Sequence, residues 1–422
     1  MNDQQANPRL LLIAPPNSYR TAAFIGAARR NQVDVLVASE GHYSLVSEVA
    51  AGLHIDLQDP AALQLLLEAS RERPFAGVVA TDDATVELGS RIAAELGLPH
   101  NPPAAARFSR RKDLSRKALA DAGLGVPRFR LLDLDHPLTE QSAGFPLPAV
   151  VKPLVLSASR GVIRVDTPGG LAAACARIES ILAGEPLSDR FEARHLLLES
   201  FVAGAEVALE GLLRRGRLDV LAIFDKPDPL EGPYFEETYY ITPSRHDRRT
   251  QQQLHDCTQA ACAALGLREG PVHAELRITA DGPVIMEVAA RTIGGECARL
   301  LHFGTGYGLE ELVILHAIGR PLHGGHTGGG AGVLMIPIPA AGILRRIEGI
   351  GRARAVPGIT DVLVTIRDGY ELVPLPEGGS YLGFMFAECE TPAAAEAALR
   401  EAHAELNIVV APAMQIEDAR IK

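Results

Sequence analysis

No stretch of this chain approaches the roughly 20 uninterrupted apolar residues that a membrane-spanning helix needs. The opening MNDQQANPRL lacks the basic-then-apolar form of a signal peptide. A cytoplasmic location with no membrane partner is therefore expected. Cysteine is sparse: Cys175, Cys257, Cys262, Cys297 and Cys389 are scattered, odd in number, and form no CxxC pair or His spacing of a zinc or redox centre. They read as reduced, mostly buried thiols. Basic charge is short as well. Lys and Arg number 41 against 52 Asp and Glu, a net charge of -11, and basic residues concentrate only in the run Arg107 to Lys117. A nucleic-acid groove would lack its electrostatic footprint, so small-molecule partners are expected.

What is present is an ordinary composition for two to four domains: 422 residues, 47% hydrophobic, with 40 Gly and 29 Pro. The apolar run Leu10 to Ala14 leads through Pro-Pro-Asn into the helical pattern Tyr19 to Arg30, then the apolar run Val33 to Ala38, a βαβ opening. A further run, Phe75 to Ala80, ends in Thr81-Asp82-Asp83 and precedes the amphipathic stretch Ala84 to Leu96, closed by Gly97 with Pro99 beyond. The first hundred or so residues thus read as a parallel α/β unit. The first strand is followed by no GxGxxG, so a nicotinamide oxidoreductase would lack its phosphate-binding turn.

After the Pro-rich turn His100 to Pro103, the segment RFSRRKDLSRKALADAGLGVPRF predicts a basic amphipathic helix, a cap at Gly123 and a return strand, with a boundary near residue 105. Strand-like and helical runs alternate to about residue 320, and the Gly-rich tract Gly324 to Gly332 reads as a linker. Beyond it, β-like runs at Val333 to Pro337, Asp361 to Arg367 and Tyr381 to Glu388, with a helix over Ala393 to Leu406, predict a small α+β module.

Several residues stand where their chemistry needs an explanation. Lys112 heads the basic helix, and Lys152 ends the apolar run Pro148 to Val151, where a charge requires a partner. Five residues on, Ser157, Ala158, Ser159, Arg160, Gly161 and Val162 form a small-residue loop whose N–H groups suit phosphates, a plain surface hairpin being the alternative. Glu199 ends an apolar strand, and the chain amides of Ser200, Phe201 and Val202 suit an adenine edge. Glu206, in the next strand, suits a ribose hydroxyl, although plain edge carboxylates on a hairpin are the favoured alternative for both glutamates. In VHAELRITADGPVIMEVAARTIGGE, counting outward from the turn Ala280-Asp281-Gly282 brings Glu275 and Glu287 together across a hairpin, to within a residue of register. Two such carboxylates repel unless a cation lies between them, and oxygen-ligated Mg2+ fits. Arg291 heads the turn Thr292 to Gly295, with Gly294 in it, and suits a substrate carboxylate or a developing oxyanion.

In order and approximate spacing, Lys112, Lys152, the SASRGV loop, Glu199 and the Glu275/Glu287 pair resemble the ATP-grasp superfamily, and within it the L-amino-acid ligases of the biotin-carboxylase-like branch, which make dipeptides. The resemblance covers nearly the whole chain. It implies a mixed α/β and α+β architecture: a Rossmann-like pre-ATP-grasp domain at residues 1–105, an ATP-grasp domain at 106–325 with a lid subdomain at about 115–195, and a C-terminal α+β domain at 326–422. It implies ATP with Mg2+, or Mn2+ in its place, a small carboxylate and a small amine as substrates, and a homodimer. It puts Lys112 and Lys152 on the phosphates, Ser157 to Val162 in a mobile lid, Glu199 to Val202 at the adenine with Glu206 nearby, Glu275 and Glu287 on the metal, and Arg291 on the tetrahedral adduct.

Two departures stand out. In FDKPDPLEGPYFEETYYITPSRH, Glu237 matches a substrate-contacting Glu, but Tyr240 stands where a His is common. The usual ExNxR reads Glu287-Val288-Ala289-Ala290-Arg291, so Ala289 offers the metal no amide oxygen; His273 is a candidate substitute, with a hydrogen-bonded core histidine the favoured alternative. The expected reaction is phosphorylation of a carboxylate by ATP followed by capture with an amine. Bicarbonate activation, as in carboxylases or carbamoyl-phosphate synthases, and a non-catalytic nucleotide-binding role are the alternatives.

Overall fold

The structure, a computed structural model, describes residues 6–16, 18–40, 51–185, 187, 189–321 and 328–412. The chain divides into two compact units, each gathered from three segments: residues 1–127, 204–224 and 244–328 in the first, and 128–203, 225–243 and 329–422 in the second. Among the described residues no helix is long and apolar enough to cross a membrane.

The first unit opens with a parallel sheet in the order Ala51–His54, Asp34–Ser39, Arg9–Ile13, Gly77–Ala80. Leu10, Leu11, Leu12 and Ile13 are all inaccessible to solvent, as expected of a parallel strand covered on both faces. The intervening helices are Arg20–Arg30, Ala62–Glu72 and Val86–Glu95, and Gly97, at φ +67°, closes the last of these. Asn17 of the Pro-Pro-Asn loop lies outside the described residues.

The expected single basic helix is two, Pro103–Arg110 and Lys112–Asp121. The break falls at Arg111, whose backbone is extended and whose guanidinium turns onto Asp113 through two 2.9 Å hydrogen bonds, bracing the first turn of the second helix.

The unit's second sheet is antiparallel, in the order Gly282–Ala289, Gly270–Thr279, Ala205–Arg214, Arg217–Lys226, the last two residues of which belong to the second unit. Its side chains alternate between two unlike faces. Val207, Leu209 and Leu213 of one strand and Val272, Ala274 and Leu276 of the next join Leu254, Ala261 and Leu265 of the helix Arg248–Leu265 in one apolar core. The opposite face carries the residues between them: Glu206 and Glu210, and His273, Glu275 and Arg277. The same helix is started by Asp247, which accepts from Thr250 N–H at 2.7 Å, and stopped by Gly266 at φ +76°.

The second unit contains an antiparallel sheet in the order Phe129–Asp133, His195–Ser200, Ala149–Pro153, Ile163–Val165, packed on the helix Pro168–Ala183. It also contains the antiparallel strands Tyr239–Thr242, Gly330–Ile336, Gly383–Cys389 and Ile359–Val364, packed on the helix Pro392–Ala404. A smaller sheet joins Glu371–Leu372, Gly342–Glu348 and Asn407–Ala411.

The Gly-rich tract is not a linker where it is described: Gly330 to Gly332 begin a central strand, while residues 324–327 lie outside the described residues. Glycine is needed there for close packing. A Cβ on Gly330 would stand 2.1 Å from the backbone nitrogen of Pro392, and one on Gly332 would stand 2.7 Å from Ile241 and 2.8 Å from Leu399.

Candidate active site

The hairpin Gly270–Thr279 and Gly282–Ala289 places Glu275 directly opposite Glu287, and a bulge follows between Glu275 and Leu276. Lys112 Nζ lies 3.6 Å from Glu287 Oε2. That approach is fixed by Arg116, one turn along the helix from Lys112, whose buried guanidinium donates to the carbonyls of Ile285 and Met286 at 2.8 and 2.7 Å. The helix carrying the lysine is thereby pinned to the strand carrying the carboxylate.

On the same polar face the cross-strand neighbours His273 and Glu210 pair at 3.3 Å, and Arg277 and Glu206 pair at 2.8 Å. His273 also reaches Glu275 Oε1 at 3.5 Å. Burial alone would lower its pKa, but the hydrogen bonds and charges of Glu210 and Glu275 prevail and raise it to about 9. His273 is thus a hydrogen-bonded core histidine held between two carboxylates. Glu206, expected at a ribose hydroxyl, has its carboxylate on Arg277.

Arg291 is buried, and its Nε donates to Asp83 Oδ2 at 2.9 Å while Nη1 donates to the carbonyl of Thr292 at 3.0 Å. Burial disfavours the guanidinium charge, but the carboxylates of Asp83 and Glu287 outweigh it and shift its pKa upward. The turn behind it is held at Ile293, whose N–H donates to Glu210 Oε1 at 3.2 Å and whose carbonyl accepts from Arg20 Nη2 at 3.3 Å. Gly294 lies under Arg20 and Tyr19, and Gly295 adopts φ +60°.

In the second unit, Lys152 is cross-strand to Leu197, which sets it diagonal to Glu199 on one face. Their side chains meet at 2.6 Å, exposed by only 8% and 2%. This is the partner that a lysine in an apolar strand requires. Two of the three amides expected at an adenine edge are already used: Ser200 N–H donates to the carbonyl of Arg128, and Phe201 N–H to that of Pro148 at 3.0 Å. The cause is that the strand pairing runs on through Ser200, so its ladder consumes those donors.

The loop Ser157 to Val162 is curled by left-handed backbone at Ala158, Ser159 and Gly161, with φ of 54°, 55° and 69°. Within it, Val162 N–H donates to the carbonyl of Ser159 at 3.1 Å, and Arg160 N–H to that of Ser157 at 3.3 Å. Gly161 N–H donates to the carbonyl of Pro376 at 2.9 Å. The Arg160 guanidinium is engaged by Glu185 at 2.7 Å and the carbonyl of Glu377 at 2.9 Å. Glu377 in turn forks onto Arg177. Elsewhere in this unit Glu237 is held by Lys226 and accepts from the Tyr240 hydroxyl at 2.7 Å. Tyr240 is buried, with Lys226 Nζ 5.1 Å from its ring centre.

Comparisons with known proteins bear on this constellation. A family model described as an ATP-grasp domain matches residues 145–299, one described as an ATP-grasp N-terminal domain matches 27–100, and one described as L-amino acid ligase C-terminal domain 2 matches 334–411. The chain belongs to the ATP-grasp superfamily. It is an ATP-grasp ligase.

Among solved structures it is similar to the L-amino acid ligase from Bacillus licheniformis, with a TM-score of 0.79 and 26% identity over 96% of this chain and 100% of that one. Among curated proteins it is 26% identical over 406 residues to the uncharacterised protein y4rH of Sinorhizobium fredii, covering 94% of this chain and 82% of that one. It is 31% identical over 266 residues to carnosine synthase 1 of Gallus gallus, which covers 61% of this chain but only 28% of the chicken enzyme's length.

Asp83, Arg20, Glu210 and Arg116 escape the sequence reading. One signal was available for Asp83: paired aspartates directly after the strand Gly77–Ala80 stand at the C-terminal edge of a parallel sheet, where α/β folds keep their functional loops.

Proposed function

We propose that this ligase joins two small amino-acid-like substrates by phosphorylating the carboxylate of one and capturing the product with the amine of the other. The carboxylate oxygen attacks the γ-phosphorus of ATP and ADP departs. The amine nitrogen then attacks the acyl carbon, phosphate leaves, and the nitrogen gives up its proton, so the product is an amide with ADP and phosphate. The observation that carries the reading is the pair Glu275 and Glu287 in register, with Lys112 3.6 Å from Glu287 and the buried guanidinium of Arg291 nearby in the chain.

ATP-grasp enzymes use ATP with Mg2+, and the donors here suit it. Glu275 and Glu287 are adjacent carboxylates, the hard oxygen donors that Mg2+ prefers, and they would hold it. When bound, Mg2+ would offset the charge of the transferred phosphoryl group. Ala289 contributes nothing to it, so the two glutamates are the whole protein share of the ligand set in this reading. Lys112 and Lys152 are assigned to phosphate charge, Ser157 to Val162 to covering the phosphates and excluding water, Glu199 to Val202 to the nucleoside through groups other than the Ser200 and Phe201 amides, with Glu206 nearby, and Glu237 and Tyr240 to the substrate. Arg291 is assigned to the oxyanion of the tetrahedral adduct and, with Gly294 and Gly295 of the turn that follows it, to the substrate. In chain order, residues 1–105 serve as the pre-ATP-grasp domain, 106–325 as the ATP-grasp domain with its lid at about 115–195, and 326–422 as the C-terminal domain.

The test is to incubate the purified protein with Mg2+-ATP and pools of amino acids and other small carboxylates, following phosphate release and product mass. Release that needs both a carboxylate and an amine, with a product at the sum of their masses less water, is the expected result. Release that needs bicarbonate instead would point to a carboxylase-type enzyme. Silence in every pool, with ATP still bound, would point to a non-catalytic role.

A further inference from the structure

In the first unit, residues at the C-terminal edge of the N-terminal parallel sheet hold the side chain of Arg291 and the backbone of Ile293. The strand Gly77–Ala80 delivers Thr81, Asp82 and Asp83 at its C-terminal end. Asp83 takes the Nε edge of Arg291 at 2.9 Å, with side chains exposed by only 22% and 11%. Asp82 holds Arg20 at 2.6 Å and accepts from the Ser18 hydroxyl at 2.7 Å, and Arg20 reaches on to the carbonyl of Ile293. Arg20 is further steadied over the ring of Tyr19, 4.8 Å from its centre.

A guanidinium on a flexible stem can be aimed only if some of its donors are fixed, and here Nε and Nη1 are fixed on Asp83 and Thr292 while Nη2 takes part in neither bond. A donor aimed before reaction stabilises a developing oxyanion without reorganisation, whereas a misplacement of about 1 Å can cost on the order of 100-fold in rate.

We propose that Asp83 is a positioning residue for the ligase reaction: it aims Arg291 at the reacting carbonyl, with Arg20 and Asp82 holding the turn that follows. The proposal rests on the assignment of Arg291 to the tetrahedral adduct.

The experiment measures phosphate release from Mg2+-ATP with an equimolar pool of the twenty amino acids, at saturating and at limiting ATP. Asp83→Asn keeps the shape and removes the charge, and Asp83→Glu keeps the charge and displaces it by one methylene. Both are expected to lower the maximal rate on the order of 100-fold while the ATP concentration at half-maximal rate changes less than about 3-fold. Because Asp83 acts through Arg291, Asp83→Asn added to Arg291→Lys is expected to lower the rate by less than about 3-fold more. A purely structural aspartate would lower thermal stability and leave the maximal rate of the folded protein unchanged in Asp83→Glu. That result, or losses that multiply in the double variant, overturns the proposal. Full activity in Arg291→Lys alone overturns the assignment of Arg291 and the proposal with it, an outcome distinct from the failure of Asp83 alone.

Discussion

The hairpin region of the first unit and the loop region of the second are both held by ion pairs, but of opposite kinds. Around Glu275 two pairs are buried: His273 with Glu210 at 6% and 0% side-chain exposure, Arg277 with Glu206 at 4% and 9%. Around Ser157 to Val162 they are open to water: Arg177 with Glu377 at 43% and 40%, Arg160 with Glu185 at 28% and 22%. Breaking one partner of a buried pair strands a charge at about 3–5 kcal/mol, while exposed pairs contribute roughly 0–1 kcal/mol. The first region is thus built to keep its geometry, and the second has contacts that can be exchanged cheaply. In the proposed reading, the first suits a site for metal and oxyanion, and the second suits a phosphate-covering loop that opens for each turnover.

The largest expected effect is from Glu287→Gln, which removes a charge from the proposed metal pair. Steady-state phosphate release should fall by at least on the order of 100-fold, and raising Mg2+ should restore part of it. A near-normal rate at ordinary Mg2+ would remove the hairpin from the chemistry. Next, Glu199→Gln leaves Lys152 buried without its carboxylate. Urea denaturation should show a loss of about 3 kcal/mol, and a loss under about 1 kcal/mol would mean that water reaches the lysine. His273→Gln removes the bridge between Glu210 and Glu275, and a supporting residue of this sort should cost about 10–100-fold in the Mg2+ concentration needed for half activity, read from a metal titration. The smallest effect belongs to Glu377→Gln, which should change stability by less than about 1 kcal/mol in the same denaturation assay. A large loss there would erase the contrast between the two regions.

Much of this was legible in the sequence, and the reasons differ by residue. Glu275 and Glu287 could be paired because a two-strand hairpin is a local object: the turn is marked by Asp281-Gly282 and the side-chain period is fixed at two. The need of Lys152 for a partner was readable from its apolar strand, although which carboxylate met it depended on the pairing of two strands distant in the chain. Asp83 and Arg291 are 208 positions apart and Arg20 and Ile293 are 273 apart, so no local pattern announces either bond. The same holds for the clasp on the 157–162 loop, in which Arg160 meets the Glu377 carbonyl 217 positions away. Glycine misled at residues 330–332, because composition reports conformational freedom and says nothing of a helix lying against the strand. The amides of Ser200 and Phe201 misled because a strand end seen in one dimension hides where its ladder stops.

The most direct test of the proposed chemistry is isotope transfer. An amino-acid substrate labelled with 18O in its carboxylate is converted with Mg2+-ATP, and the released phosphate is weighed by mass spectrometry. Phosphorylation of the carboxylate followed by amine capture predicts one 18O in each phosphate released. Unlabelled phosphate accompanying amide formation would contradict it, because the carboxylate oxygen would then never have been bonded to phosphorus.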